Sequence, residues 1–210
     1  MKEQPVTFRS GSLALEGLIA KPEGAAPTRA GVVCHPHPLY GGSMYNSVVD
    51  AALEAMWSLG WATLRFNFRG VGDSEGEHGG GAGEADDAAA AVQFLTSETG
   101  IQPSNIVLAG YSFGAMAAMR AAPRIANLGV LALIALPIRM IDGAALDDFK
   151  GPIVLAAGTQ DEYCPAAQLE TIHKRLGLRA QLRIIDGADH FFGGCEQELT
   201  QALAAMLKAV

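Results

Sequence analysis

The order of segments in this 210-residue chain predicts an α/β fold, a mostly parallel sheet of about eight strands with helices on both faces. Three observations carry the expectation. Short apolar runs recur along the sequence, G-V-V-C, A-T-L-R-F-N-F, I-V-L-A-G, V-L-A-L-I-A-L, I-V-L-A-A and A-Q-L-R-I-I, with the length and branching of strands buried on both faces. Helix-forming stretches separate them, and strand–helix alternation implies a parallel sheet covered on both sides. Half the residues are apolar and 18% are charged, the composition of a chain that folds rather than one that stays disordered. At this length it can bury one full core, so a single domain over residues 1–210 is expected.

Taken in order, residues 6–21 hold two segments of mixed polarity, V-T-F and L-A-L-E-G-L-I-A, joined by Ser10-Gly11-Ser12. A hairpin fits them, antiparallel at one edge of the sheet. A P-E-G-A-A-P-T loop follows, and then the regular alternation begins. Helices are expected near residues 46–59, 84–97, 113–121, 166–176 and 196–208. In open sheets of this kind chemistry gathers at the carboxyl ends of the strands.

Charge and composition exclude several functions. A net charge of -7 opposes a partner held mainly through phosphates, which needs clustered Lys and Arg. No nucleic-acid partner is expected. The longest apolar segment, residues 128–138, contains Pro137 and is shorter than the roughly 20 residues a bilayer requires. The N-terminus M-K-E-Q-P-V-T-F lacks the apolar stretch of a secretion signal, so a soluble cytoplasmic protein, monomer or homodimer, without a membrane partner is expected. Cys34, Cys164 and Cys195 show no C-x-x-C spacing and read as small apolar fillers rather than as disulfides or metal ligands.

The segment with most chemical content is Gly110-Tyr111-Ser112-Phe113-Gly114, which has the form G-x-S-x-G between an apolar strand and a helix. A sharp turn there would strain the serine backbone and push its hydroxyl out of the sheet. The plainer alternative is a serine that only caps the helix. The helix would point its first amides, that of Phe113 foremost, at negative charge developing on a substrate oxygen. A serine nucleophile needs a base. Of the histidines at 35, 37, 78, 173 and 190, only His190 follows a strand end within a loop of small residues, D-G-A-D-H-F-F-G-G. His173 shares a helix with Lys174 and Arg175 and reads as solvent-facing, and His78 lies in a Gly-rich loop. The imidazole needs a carboxylate, and Asp161 stands just past the run I-V-L-A-A. Asp161 could equally be an ordinary loop Asp bonded to nearby amides, with Asp142, Asp147, Asp148 and then Glu162 as fallbacks. The chain order Ser112, Asp161, His190 favours it, because nucleophile, acid, histidine is the order of α/β-hydrolases.

His35-Pro36-His37-Pro38-Leu39-Tyr40-Gly41-Gly42 follows the G-V-V-C strand. Two histidines two apart suggest a metal, but the prolines and the lack of nearby acidic or thiol partners oppose it. No metal and no cofactor is expected. Pro36 and Pro38 lack an N–H and keep the residues before them extended. Leu39 and Tyr40 carry the first free amides beyond the second proline, and Leu39 is expected to supply an oxyanion donor opposite Phe113, with Tyr40 next. Tyr40 and Tyr111 are expected to line the pocket. Gly70-Val71-Gly72-Asp73-Ser74-Glu75-Gly76 misses the G-x-G-x-x-G spacing, and its acidic residues would repel phosphate. Glu84, Asp86 and Asp87 would then sit in the first turn of the next helix, where the macrodipole suits them.

With C-H-P-H-P-L-Y-G-G-S-M, N-F-R-G-V-G-D-S-E-G, G-Y-S-F-G, G-T-Q-D and G-A-D-H-F-F in hand, the chain resembles the α/β-hydrolase superfamily over nearly its whole length. More narrowly it resembles small lidless serine hydrolases related to dienelactone hydrolase that carry an H-P-H-P loop. The resemblance implies Ser112, Asp161 and His190 as a triad and carboxylesterase-type activity. Dienelactone hydrolases proper use cysteine as nucleophile, so their substrate does not carry over. Only residues 139–151 separate two strands where a cap is often inserted, so no cap domain is expected. A shallow, open site then favours small soluble ester substrates. Thioester and acyl-peptide cleavage use the same machinery, and a non-catalytic binding protein on the same fold is the alternative of a different class.

Overall fold

The computed structural model describes residues 1–24, 26–141 and 146–210. Strands β1 (Glu3–Ser10) and β2 (Leu13–Ala20) form the hairpin. There follow β3 (Ala30–Cys34), α1 (Ser47–Ser58), β4 (Ala62–Phe66), α2 (Ala82–Thr99), β5 (Ile106–Tyr111) and α3 (Phe113–Ala121). The chain ends with β6 (Val130–Ile134), β7 (Ile153–Gly158), α4 (Ala166–Leu176), β8 (Ala180–Ile185) and α5 (Glu196–Lys208). The eight strands lie in the order β1-β2-β4-β3-β5-β6-β7-β8. β2 is antiparallel to both β1 and β4, and every other pairing is parallel.

Every residue of β3 to β7 is buried, which is why these runs are largely apolar instead of alternating, Thr63 and Arg65 of β4 being the exceptions. One face of the sheet packs against α2, α3 and α4. The other packs against α1 and α5 through Leu53, Met56, Leu199 and Leu203. Alanines of α2 and α3, among them Ala88, Ala91, Ala115 and Ala118, are buried between these two helices and the sheet and let them approach closely.

The topology places the site. From β3 the chain crosses to β4 in one direction, and from β4 it returns past β3 to β5 and continues the other way. The loops leaving β3 and β5 therefore diverge to opposite faces, into α1 and α3, and open a crevice between their strand ends. Such a reversal is where ligands bind in open α/β sheets. The H-P-H-P loop leaves β3 there, and Ser112 leaves β5.

Two expected strands are shorter than their apolar runs. Asn67 and Phe68 leave β4 to enter side-chain contacts, and Ala135 leaves β6 at φ +48°. Pro38–Tyr40 forms a single 3-10 turn, capped by His37, where a stiff loop was expected. The β6–β7 connection, residues 135–152, is too short for a cap domain. Among the described residues no helix is long and apolar enough to cross a membrane.

Candidate active site

Ser112 has φ +53° and ψ −117°, a backbone conformation a non-glycine residue keeps only when its surroundings impose it. Its neighbours do so. A Cβ at Gly110 would lie 2.2 Å from the Gly114 carbonyl oxygen, and one at Gly114 would lie 2.3 Å from the Cys34 oxygen and 2.5 Å from that of His35. Strand β5, helix α3 and the exit from β3 pass so closely that only glycine fits on either side of the serine. The hydroxyl makes no capping bond to α3, which disposes of the helix-cap alternative. Instead Ser112 Oγ lies 2.9 Å from His190 Nε2.

His190 Nδ1 lies 2.9 Å from both Oδ1 and Oδ2 of Asp161. Asp161 Oδ1 also accepts the amides of Tyr163 and Cys164 at 2.9 and 2.8 Å, so the carboxylate is fixed in place and wholly removed from water. It is at once the loop Asp bonded to nearby amides and the partner of His190. Of the fallbacks, Asp147 pairs with Arg175 and Arg179, Asp148 and Glu162 are exposed, and Asp142 lies outside the described residues.

Tyr111 was expected to line the pocket, but it is 2% exposed and donates its hydroxyl to the His190 carbonyl at 3.0 Å. Burial, aided by the charge of Asp161, pushes its phenol up, so it stays a donor that ties β5 to the histidine loop. Tyr40 is exposed at the rim, its ring 4.8 Å from that of His37.

The Leu39 assignment is corrected. Its amide donates to His37 Nδ1 at 3.2 Å, and that of Tyr40 to the His37 carbonyl at 3.1 Å. Both are consumed in closing the 3-10 turn. The amide of His37, between the two prolines, has no hydrogen-bond partner among the described residues. The His37 ring packs 4.7 Å from that of Phe113. At the head of α3, Ala115 and Met116 already donate to the Ser112 carbonyl, at 3.0 and 3.2 Å, and the Phe113 amide precedes them. Among the described residues, the loop amide left free thus lies before the second proline and not after it.

One buried histidine holds this loop, and two buried carboxylates brace neighbouring segments. His35 is wholly buried, with Nδ1 2.6 Å from the Pro36 carbonyl and Nε2 accepting the Phe68 amide at 3.1 Å. Both ring nitrogens are engaged, which leaves neither for a metal. Burial lowers its pKa to about 4. Glu84, also wholly buried, accepts the amides of Gly79 and Gly81 at 2.7 Å, and its Oε1 lies 2.9 Å from His78 Nδ1. Burial works against its charge, but these amides, its own amide and His78 together bring the pKa below the ordinary carboxylate value. Asp87 is buried under Arg69, which donates Nε and Nη2 to it at 2.9 and 2.7 Å. Glu84 stands in the first turn of α2 as expected and accepts the N-cap amide of Gly81, whereas Asp86 and Asp87 lie beyond that turn, Asp86 exposed and Asp87 buried.

His173, expected to face solvent, is half-buried, with Nε2 3.1 Å from the Ala180 carbonyl. Burial raises the pKa of Cys34 and Cys164, which keeps both thiols protonated and unreactive. An open depression of about 780 Å³ between α1 and α5, lined by Asp50, Glu54 and Glu196 among others, includes none of Ser112, Asp161 and His190.

A wound parallel sheet with a strained serine at the carboxyl end of β5, and acid and histidine after β7 and β8, defines an α/β hydrolase without a cap. Residues 78–209 match the dienelactone hydrolase family, and the chain belongs to that family. It is similar to an α/β serine hydrolase homologue from Coxiella burnetii, at 33% identity and TM-score 0.87, covering 98% of this chain and 97% of that one. An α/β serine hydrolase without lid from Xanthomonas campestris is 30% identical at TM-score 0.87, with 100% and 95% covered. An uncharacterised protein of Rickettsia prowazekii (strain Madrid E) is 36% identical over 180 residues, 82% of this chain and 75% of that protein.

Proposed function

We propose that the protein is a serine esterase that cleaves small soluble esters through an acyl-enzyme. The observation that carries this reading is the continuous Ser112–His190–Asp161 contact chain, 2.9 Å at each step, on an elbow whose positive-φ serine is held by the close passage of β5, α3 and the exit from β3. Ser112 Oγ attacks the ester carbonyl while His190 Nε2 takes its proton. Asp161 holds the imidazole with Nδ1 protonated and stabilises the imidazolium. The tetrahedral oxyanion lies between the amides of Phe113 and His37, aided by the N-terminal dipole of α3. His190 passes its proton to the departing alcohol, and water, deprotonated in turn by His190, releases the acid and restores Ser112.

Ser112→Ala should lower kcat on ethyl acetate by at least about a thousandfold with an unchanged circular-dichroism spectrum and unfolding midpoint. Retained turnover refutes the nucleophile. Failure of a fluorophosphonate to label Ser112 in the folded wild type favours the non-catalytic alternative.

A further inference from the structure

His190 is flanked by two aromatic rings that the acyl-transfer steps do not use. The Tyr163 ring centroid lies 4.7 Å from that of the imidazole at an interplanar angle of 48°, and Phe191 lies 5.6 Å away at 84°. Both project into solvent, Tyr163 52% and Phe191 65% exposed. Their backbones are nevertheless fixed. Tyr163 N–H donates to Asp161 Oδ1 and Phe191 N–H to Asp189 Oδ1, each at 2.9 Å. The next residue, Phe192, adopts φ +56° and is wholly buried. A conformation unfavourable for phenylalanine thus drives one ring of the Phe191-Phe192 pair into the core and holds the other out. Two apolar rings kept in water oppose the hydrophobic effect, and rigid aromatics at the edge of a reactive centre give a ligand apolar area at low entropic cost.

Their position decides which part of a substrate they meet. His190 gives its proton to the leaving oxygen, so the alcohol departs past the imidazole ring that Tyr163 and Phe191 adjoin. In the proposed mechanism the carbonyl oxygen is held instead by the amides of Phe113 and His37. We propose that Tyr163 and Phe191 bind the alcohol portion of the substrate and select esters of aromatic alcohols, an inference that rests on the esterase reading above. The chain discriminates between esters through the group that leaves.

Kinetics with benzyl acetate, ethyl acetate and ethyl phenylacetate separate the two sides, because benzyl alcohol and ethanol leave with similar chemical ease. Wild-type kcat/KM for benzyl acetate should exceed that for ethyl acetate roughly tenfold, mainly through KM, the scale of one or two ring contacts. Ethyl phenylacetate, with the ring on the acyl side, should show no such gain. The benzyl advantage should fall to about twofold or less in Tyr163→Ser/Phe191→Ser and persist in Tyr163→Phe/Phe191→Tyr, which keeps both rings. Benzyl alcohol should inhibit the wild type at lower concentration than ethanol does, a readout that depends on no variant. Parity of the two acetates, an equal gain for the aromatic acyl ester, a preference that survives in the double serine variant, or no difference between the alcohols as inhibitors overturns the proposal. Turnover of ethyl acetate without a benzyl preference removes this inference alone. Absence of turnover of every ester removes the esterase reading and this one with it.

Discussion

The buried imidazole of His35 shows how a single residue sets the limits of the site. Its two nitrogens join the start of the H-P-H-P loop to the chain leaving β4, and burial lowers its pKa from 6.5 to about 4. Between these values the unfolded chain binds a proton that the folded chain refuses, so stability is complete above about pH 6.5 and is lost as pH falls toward 4. The loss is on the order of 3 kcal/mol. Urea unfolding at about pH 7 and about pH 4.5 should show the wild type losing more stability on acidification than His35→Asn; an equal loss in both would exclude His35 as the cause. None of this was legible in the sequence, where His35 was one of two histidines beside prolines. A histidine directly after a fully buried strand was the available signal. Ser112, Asp161 and His190 were legible because each stands just past a strand end, and such positions converge whatever the detailed packing.

Elements were read well where a single period governed them and less well where tertiary contacts overrode it. Among the described residues, five helices and eight strands overlap the predicted segments, with ends shifted as at β1, β4 and β6, and Asn46 caps α1 as its side chain allows. The H-P-H-P segment was misread because a 3-10 turn engages the amides of Leu39 and Tyr40, and i→i+3 closure leaves no signature in apolar spacing. Its correction is testable within the loop. His37 has φ −59°, the value proline requires, so His37→Pro deletes the N–H with little backbone strain, while His37→Ala deletes the ring and keeps the N–H. The proline variant should lose about a hundredfold or more in kcat on ethyl acetate and the alanine variant less than about tenfold. Equal losses would move the oxyanion donor elsewhere.

At the scale of the molecule, the sheet reverses its winding at β3 and β5, and no inserted domain closes over the crevice this opens. Long acyl chains then find little surface to cover them, so kcat/KM should decline from acetyl to octanoyl esters of one alcohol, and a rise along that series would contradict an open site. The closeness of backbones around the elbow has a further consequence. The contacts that force Ser112 into its conformation come from the carbonyls and glycines around the exit of β3, β5 and α3, and among the described residues its hydroxyl hydrogen-bonds to the imidazole alone. The scaffold is therefore indifferent to whether oxygen or sulfur occupies that spot. Thiol and hydroxyl members of one lineage can stand a single atom apart, exchanging reactivity while every strand stays where it was.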